Sequence, residues 1–163
     1  MVPSSSMMAI EGLRTAGELG DAEAVGRLLA DEVVFHSPLT DRVRFVGRDE
    51  VVALHRDIFA VLADIRTSEP LAYGDRQAFS FRARVRGVEL EAMNLVRTDD
   101  EGRIVELTVF VRPLPGLATL FATLPPRVSA RRRGPLVGGL VACVARPLAF
   151  AFRMADRLAP RFL

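Results

Sequence analysis

The spacing of apolar residues changes partway along the chain, and this change most constrains the fold. Up to about residue 62 apolar residues recur at helical spacing, as in Val51, Leu54 and Ile58. From Phe79 onward they alternate with polar residues, as expected of half-buried strands. Helices that come first and strands that follow predict an α+β fold, with the helices packed on a mainly antiparallel sheet.

Capping and turn residues divide these two parts into elements. A helix over 8–19 ends at Gly20, and Asp21 caps a second helix that reaches residue 30. Residues 33–36 form a short strand that Pro38 ends, and a third helix runs from residue 49 to about 64. Strands over 79–86, 88–97 and 104–112 are joined at Gly87 and Gly102.

Charge divides the chain differently. Residues 1–126 hold 14 arginines against 19 acidic residues, a net charge of −5, whereas residues 127–163 hold 8 arginines and one aspartate, a net charge of +7. The segment "LPPRVSARRRGP" at 124–135 has the composition of a linker. We therefore predict a domain over 1–126 and a basic amphipathic extension over 127–163.

Composition excludes several classes of protein. The single cysteine, Cys143, excludes an internal disulfide framework, and no spacing suggests a metal site, so neither a metal nor a cofactor is expected. The first ten residues lack the basic and apolar regions of a secretory signal, which favours a cytoplasmic protein. All 22 basic residues are arginine, which is typical of a GC-rich bacterial genome.

Three stretches resemble a known family: "GDAEAVGRLLADEVVFHSPL" (20–39), "GRDEVVALHRDIF" (47–59) and "LVRTDDEGRIVELTVFVRP" (95–113). They resemble the nuclear transport factor 2-like superfamily, most closely its SnoaL-like branch, which is related to ketosteroid isomerase and limonene-epoxide hydrolase. The resemblance covers about residues 8–124. It implies a cone of three N-terminal helices on a strongly curved sheet, and a homodimer through the outer sheet face, where Met93, Leu95 and Phe110 are apolar.

The resemblance also implies where functional residues should fall. The catalytic aspartate of the isomerases corresponds to Ser37, their oxyanion-hole tyrosine to Leu13, and their second oxyanion donor to Asn94. Only Asn94 keeps the chemistry of its position, because its amide can still donate a hydrogen bond, whereas a serine at 37 cannot shuttle the proton alone and Leu13 has no donor. The ketosteroid isomerase reaction is therefore disfavoured. The hydrolases need paired carboxylates with an arginine between them, but Glu91 and Glu106 are expected on the outer face of the sheet.

The predicted register describes an apolar pocket with few polar groups. Asn94 is its main polar group, and His36 and Ser37 lie at its rim. We therefore take His36, Ser37 and Asn94 as catalytic candidates, with Asn94 polarising a carbonyl and His36, with Ser37, moving a proton. The predicted lining residues are Leu13, Leu54, Ile58, Phe79, Phe81, Ala83, Ala92, Leu107, Val109 and Val111.

Each polar candidate also has a structural interpretation. His36 would be a strand-end histidine bonded to the backbone, and Asn94 would bond across the sheet or to water. For His55, a partly buried packing role is favoured. Arg82, Arg84 and Arg86 are interpreted as a solvated strand face paired with Glu89 and Glu91, so no nucleic-acid binding is expected.

The extension suggests a surface-binding helix. Its uncharged run over 135–145 is shorter than the roughly 20 residues of a spanning helix, and Arg146 and Pro147 follow it. On a helical wheel its basic residues line up opposite apolar ones, which fits an interfacial helix on anionic lipid or an arm packed on the domain or on a partner. The basic residues available for lipid are Arg131, Arg132, Arg133, Arg146, Arg153 and Arg157.

Two functions therefore remain open. In the first, the cone binds a small apolar molecule of the polyketide, steroid or terpenoid kind, with or without isomerising, cyclising or hydrating it. In the second, the chain is a non-catalytic module that its basic extension brings to a protein partner or to the inner membrane surface.

Overall fold

The computed structural model describes residues 5–161, and expectations that concern residues 1–4, 162 and 163 lie outside the described part. Five helices and seven strands follow one another along this part. Their bounds are α1 Ser5–Leu19, α2 Ala22–Leu28, β1 Leu29–His36, β2 Arg44–Val46, α3 Arg48–Val61, β3 Leu62–Thr67, β4 Leu71–Tyr73, β5 Arg76–Val85, β6 Val88–Thr98, β7 Ile104–Arg112, α4 Leu114–Arg133 and α5 Pro135–Leu158, with a final 3₁₀ turn over Ala159–Arg161.

The strands form one curved sheet on which the helices pack. Its order is β2-β1-β7-β6-β5-β3, and the short strand β4 pairs with β5. Only β1 and β7 run parallel, and the other pairs are antiparallel. The core lies between the concave face of the sheet and helices α1 to α4, and includes Ile10, Leu54 and Leu107. The prediction of an α+β cone is confirmed.

The junction of α1 and α2 follows the predicted capping. Gly20 has a φ of +68°, which a glycine adopts without strain. The Asp21 amide donates to the Ala16 carbonyl, closing the end of α1, while the Asp21 side chain accepts from the Ala24 amide at 2.9 Å. Two residues thus end one helix and begin the next.

The register of the long hairpin agrees with the sequence pattern. Arg86 and Gly87 both have positive φ, at 49° and 78°, as in the two-residue turns that join antiparallel strands. Arg84 lies opposite Glu89 and donates to it at 3.2 Å, and Arg82 lies opposite Glu91. The interpretation as a paired, solvated strand face is confirmed for Arg82 and Arg84, whereas Arg86 lies in the turn after the strand.

The third helix is shorter than predicted. It ends at Val61, and the next residues form β3, which pairs antiparallel with β5. The helical spacing of Val61 and Leu62 continues into this segment, but the exposed edge of β5 offers a ladder of backbone hydrogen bonds. Pairing with a distant strand therefore decides the structure of Leu62–Thr67.

The prediction of a linker at 124–135 is wrong. Helix α4 runs unbroken through Pro125 and Pro126 to Arg133, so the predicted domain boundary after residue 126 falls inside it. Two prolines each remove a backbone donor from the helix. Apolar burial against the cone offsets this loss, because Leu120, Leu124 and Val128 lie on the inner side of α4.

Helix α5 folds back on α4 through its small residues. Gly138, Ala142, Ala145 and Ala149 are its buried positions. A Cβ at Gly138 would lie 2.7 Å from the Ala130 side chain, so the two helices approach closely.

Pro147 does not interrupt helix α5, and by length and composition the segment Pro135–Arg161 is apolar enough to cross a membrane. Most of its large apolar side chains are exposed, among them Leu136, Leu140, Val144 and Phe150.

Candidate functional site

A cavity of about 360 Å³ lies inside the cone. Strands of the concave sheet face form one wall, and residues of α1, α3, α4 and α5 form the others. The lining is apolar, with aromatic side chains from β1, β2 and β5, and its polar members are few. A volume of this order is typical of small-molecule pockets.

Eight of the ten predicted lining residues border the cavity. Ala83 and Ala92 do not, and lie in the core with 3% and 2% of their surface exposed. The eight are Leu13, Leu54, Ile58, Phe79, Phe81, Leu107, Val109 and Val111. Sequence reasoning missed the lining residues from β1, β3 and α4, because which side of each element faces the cavity depends on how distant elements pack against it.

Asn94 lies in the position that its sequence register predicted. It is central in β6, opposite Phe79 of β5 and Val109 of β7, and all three border the cavity. Only 9% of its surface is exposed. Within the described residues its side-chain amide makes no hydrogen bond. The amide is therefore free to donate to, or accept from, a molecule in the cavity.

His36 lies outside the cavity, which corrects the expectation that it shares the pocket with Asn94. Its Nε2 atom is 2.8 Å from Glu106 Oε1, and Arg97 donates to the other oxygen of Glu106 at 3.0 Å. Neighbouring strand residues point to opposite faces, so Phe35 faces inward while His36 faces outward. The hydrogen bond from Arg97, and then the one with His36, lower the pKa of Glu106. This trio belongs to the outer face of the sheet.

Ser37 does border the cavity, but its hydroxyl forms a hydrogen bond within the turn that follows β1. Its Oγ atom accepts from the Leu39 amide at 3.1 Å. Such a bond is typical of the tight turn that follows a strand. His36 bonds Glu106 on the outer face and Ser37 bonds the turn after β1, so the two do not form a proton relay into the pocket.

His55 was expected only to pack, yet it is the histidine that borders the cavity. It lies on α3 with 6% of its surface exposed, and its Nδ1 atom is 2.8 Å from the Val51 carbonyl oxygen. Its ring contacts the Phe35 and Phe59 rings in T-shaped arrangements, with centroids 5.8 and 5.7 Å away. Burial lowers its pKa, and the bond to Val51 opposes this only in part. The helical position predicted burial but not what the ring would face.

The basic last turn of α4 borders the cavity through Arg132 and Arg133 and is held by ion pairs to α3. Arg127 and Arg131 each donate to Asp57 of α3, at 3.0 and 2.7 Å, and Arg131 and Arg132 donate to Glu50. We call these five residues the α3–α4 ion cluster. Burial alone would raise the pKa of Glu50, but the bonds from Arg131 and Arg132 outweigh it and lower the pKa.

Two further contacts tie this turn to the cavity. The Arg132 guanidinium lies 4.6 Å from the centre of the Phe45 ring, a cation–π contact, and Phe45 lines the cavity. Arg133 also borders the cavity and makes no hydrogen bond or ion pair within residues 5–161. In the same part of the chain no group of three or more His, Cys, Asp or Glu residues lies close enough to hold a metal ion.

Comparison with solved structures supports the fold. A steroid delta-isomerase from Pseudomonas aeruginosa is 27% identical, with a TM-score of 0.72 over 80% of this chain and 96% of that one. A cystatin-like-fold protein from Silicibacter pomeroyi DSS-3 is 23% identical, with a TM-score of 0.71 over 79% and 91%. The epoxide hydrolase/cyclase-like enzyme SalBIII, of pyran ring formation in the polyether salinomycin, is 15% identical, with a TM-score of 0.56 over 64% and 88%.

A comparison with curated proteins finds no match. The model of the SnoaL-like domain matches residues 10–107, which is more than half of the chain. The matched region holds α1 to α3 and most of the sheet, including His55 and Asn94. The chain therefore belongs to the SnoaL-like domain family.

Proposed function

We propose that this protein binds a small, largely apolar molecule of the steroid, polyketide or terpenoid kind inside the cone, with Asn94 bonding an oxygen of the ligand. The observation that carries the proposal is the apolar cavity with an unpartnered, nine-tenths buried amide on its wall. Buried polar groups are almost always hydrogen-bonded, so a ligand oxygen or water is the partner that this amide lacks.

The relatives support this proposal at the level of chemistry. The steroid delta-isomerase and the epoxide hydrolase/cyclase-like enzyme share the fold, and the first is named for a steroid and the second for pyran ring formation in a polyether. The proposal here is binding, with isomerisation, cyclisation or hydration as reactions to be assayed once a ligand is known. No proton transfer through His36 is included, because His36 bonds Glu106 on the outer face.

Titration calorimetry with apolar ketones tests the proposal. Androstenedione and carvone are suitable probes, one of them polycyclic and the other a small terpenoid. Val109→Phe adds bulk inside the cavity and should weaken binding at least about tenfold, whereas Phe110→Leu, on the outer face of the same strand, should leave it unchanged. Asn94→Leu should weaken ketone binding by about tenfold, the worth of a hydrogen bond.

Two results would overturn the proposal that the cone binds a small apolar molecule. One is the failure of both ketones, and also of 2-naphthol, an apolar molecule that carries a hydroxyl group, to bind the wild-type protein. The other is equal affinity in the wild type and Val109→Phe, which would place the bound ketone outside the cone.

We also propose that two copies meet on the outer sheet face. Met93 and Phe110 lie side by side there, and 49% and 57% of their surfaces are exposed. Exposed apolar neighbours of this kind are typical of contact surfaces. Sedimentation should give a dimer for the wild type and a monomer for the double variant Met93→Asp, Phe110→Asp. A monomeric wild type would contradict this.

Membrane association is the second candidate function, and the exposed apolar side of α5 favours it. Leu136, Leu140 and Phe150 are respectively 85%, 68% and 58% exposed. Fewer arginines are available for lipid than predicted. Arg131 and Arg132 are held by Glu50, and Arg153 lies 3.4 Å from Thr119 Oγ1. Arg133, Arg146 and Arg157 remain for anionic headgroups.

Vesicle sedimentation tests this second function. The full chain should bind vesicles containing phosphatidylglycerol more tightly than vesicles of phosphatidylcholine alone. The double variant Leu140→Ser, Phe150→Ser should lose this binding and keep its ketone binding. Equal sedimentation of wild type and variant would exclude α5 as the membrane-binding element.

A further inference from the structure

Two buried polar side chains border the cavity without a protein partner for every hydrogen-bonding atom. One is the Asn94 amide, and the other is the His55 ring, whose Nδ1 atom alone is bonded. Within the described residues the only fully enclosed side-chain atom that lacks a partner is Gln77 Oε1. His55 Nε2 is therefore not sealed in protein, and the space that its residue borders is the cavity.

The bond at Nδ1 decides what Nε2 can do. A carbonyl oxygen only accepts, so the Nδ1–H group donates to Val51. In a neutral imidazole the other nitrogen then carries a lone pair and accepts. The rings of Phe35 and Phe59 also contact the His55 ring in T-shaped arrangements, with interplanar angles of 85° and 60°. The cavity thus contains a fixed hydrogen-bond acceptor.

The neutral state of this ring follows from its surroundings. Burial lowers the pKa of His55, which keeps the ring uncharged at neutral pH. The charged residues that border the cavity, Arg132 and Arg133, are both cationic and disfavour a second positive charge. An uncharged acceptor is matched by a hydroxyl group, and an apolar ligand with only ketone oxygens leaves it unpaired.

We propose that His55 Nε2 accepts a hydrogen bond from a hydroxyl group of the ligand, so that the cavity selects hydroxylated apolar molecules. This inference rests on the proposed binding function and names its ligand class more closely. Asn94 bonds a ligand oxygen, while His55 requires a donor. A site built to bond a hydroxyl discriminates against its methylated analogue, because the buried acceptor is then left unpaired.

Two matched probes test the requirement for a donor: 2-naphthol and 2-methoxynaphthalene. They share an apolar ring system and an oxygen, and only 2-naphthol carries a donor. Calorimetry on the wild type should show 2-naphthol bound at least about tenfold more tightly, the difference expected when one hydrogen bond is lost. His55→Phe should abolish this preference and leave the affinity for 2-methoxynaphthalene unchanged. His36→Phe, the matched control outside the cavity, should keep the preference.

A second readout does not depend on the variant folding. In ¹⁵N spectra of the wild type, the Nε2 resonance of His55 should have the shift of an unprotonated nitrogen and move when 2-naphthol binds. Equal affinity for both probes, or an Nε2 resonance that 2-naphthol leaves in place, would overturn the role of His55 and leave the binding function intact. If neither probe nor either ketone binds, the proposed function itself fails.

Discussion

Helices α4 and α5 follow the sheet one after the other, yet only α4 buries its large apolar side chains against the cone. Helix α4 contains two internal prolines and three consecutive arginines, and it packs on the cone. Helix α5 is richer in large apolar residues, and most of those are exposed. Apolar composition alone therefore does not decide burial.

The difference lies in the surface that each helix meets. The apolar side of α4 fits over the cavity, and the α3–α4 ion cluster holds its basic end. Helix α5 packs mainly on α4, and the close approach of the two helices leaves room at the contact for a glycine and alanines. Its leucines and phenylalanines are directed outward as a result.

Truncating one leucine in each helix should give the largest difference. Leu124 of α4 is 8% exposed and Leu140 of α5 is 68% exposed. Leu124→Ala should lower the free energy of unfolding by about 2–5 kcal/mol, because it leaves a cavity in the core. Leu140→Ala should change it by less than about 0.5 kcal/mol. Chemical denaturation of both variants measures this, and equal losses would show that the exposed side of α5 is covered in solution.

The next effect concerns the contact between the two helices. Gly138→Ala places a methyl group 2.7 Å from the Ala130 Cβ atom and should cost about 1–3 kcal/mol through overpacking. Its neighbour Gly139 has nothing within 4 Å of an added Cβ. Gly139→Ala should therefore stabilise the helix by about 0.5–1 kcal/mol. If both substitutions stabilise the protein in thermal melts, α5 does not pack on α4 as described.

A smaller loss of stability is expected when the α3–α4 ion cluster is weakened, because this cluster holds α4 and not α5. Asp57 accepts hydrogen bonds from Arg127 and Arg131, and its side chain is 7% exposed. Asp57→Asn should cost about 1–2 kcal/mol, because two partly exposed arginines lose a charged partner. Asp156→Asn on α5, where the carboxylate has no partner within the described residues, serves as the control and should have no measurable effect.

The smallest effect is a dependence of stability on pH, which arises where Glu50 of α3 bonds the basic end of α4. The pKa of Glu50 is lower in the folded protein than its ordinary value of 4.5. The stability that Glu50 contributes is therefore complete above that value and is lost as the pH falls through the lowered pKa. Denaturation from pH 6 down to pH 3 should show a shallower loss for Glu50→Gln than for the wild type. Parallel curves would contradict a contribution from Glu50.

Local signals in the sequence were enough for most elements. Gly20 and Asp21 end one helix and start the next through backbone geometry and a side-chain cap, both properties of a few adjacent residues. The alternation from Phe79 to Val85 predicted which residues of that strand share a face, and Asn94, expected on the same inner face, lies opposite Phe79. These features depend on neighbours in sequence, which is why they were predictable.

The two histidines show where this reasoning ends. His36 was expected at the pocket rim and lies with Glu106 outside it, while His55 was expected to pack and borders the cavity. Which side of a strand or helix faces a ligand depends on the elements that pack against it, and β1 sits between β2 and β7 from distant parts of the chain.

The sequence by itself determined the α+β order of elements, their caps and turns, and the apolar character of the inner sheet face. Tertiary structure alone decided that Leu62–Thr67 joins the sheet, that α4 continues through Pro125 and Pro126, and that His55 is the histidine of the cavity. The physical reason is the range of the interactions. Dihedral preferences and periodicity act over a few residues, whereas strand pairing, burial and charge pairing join residues that the sequence separates widely.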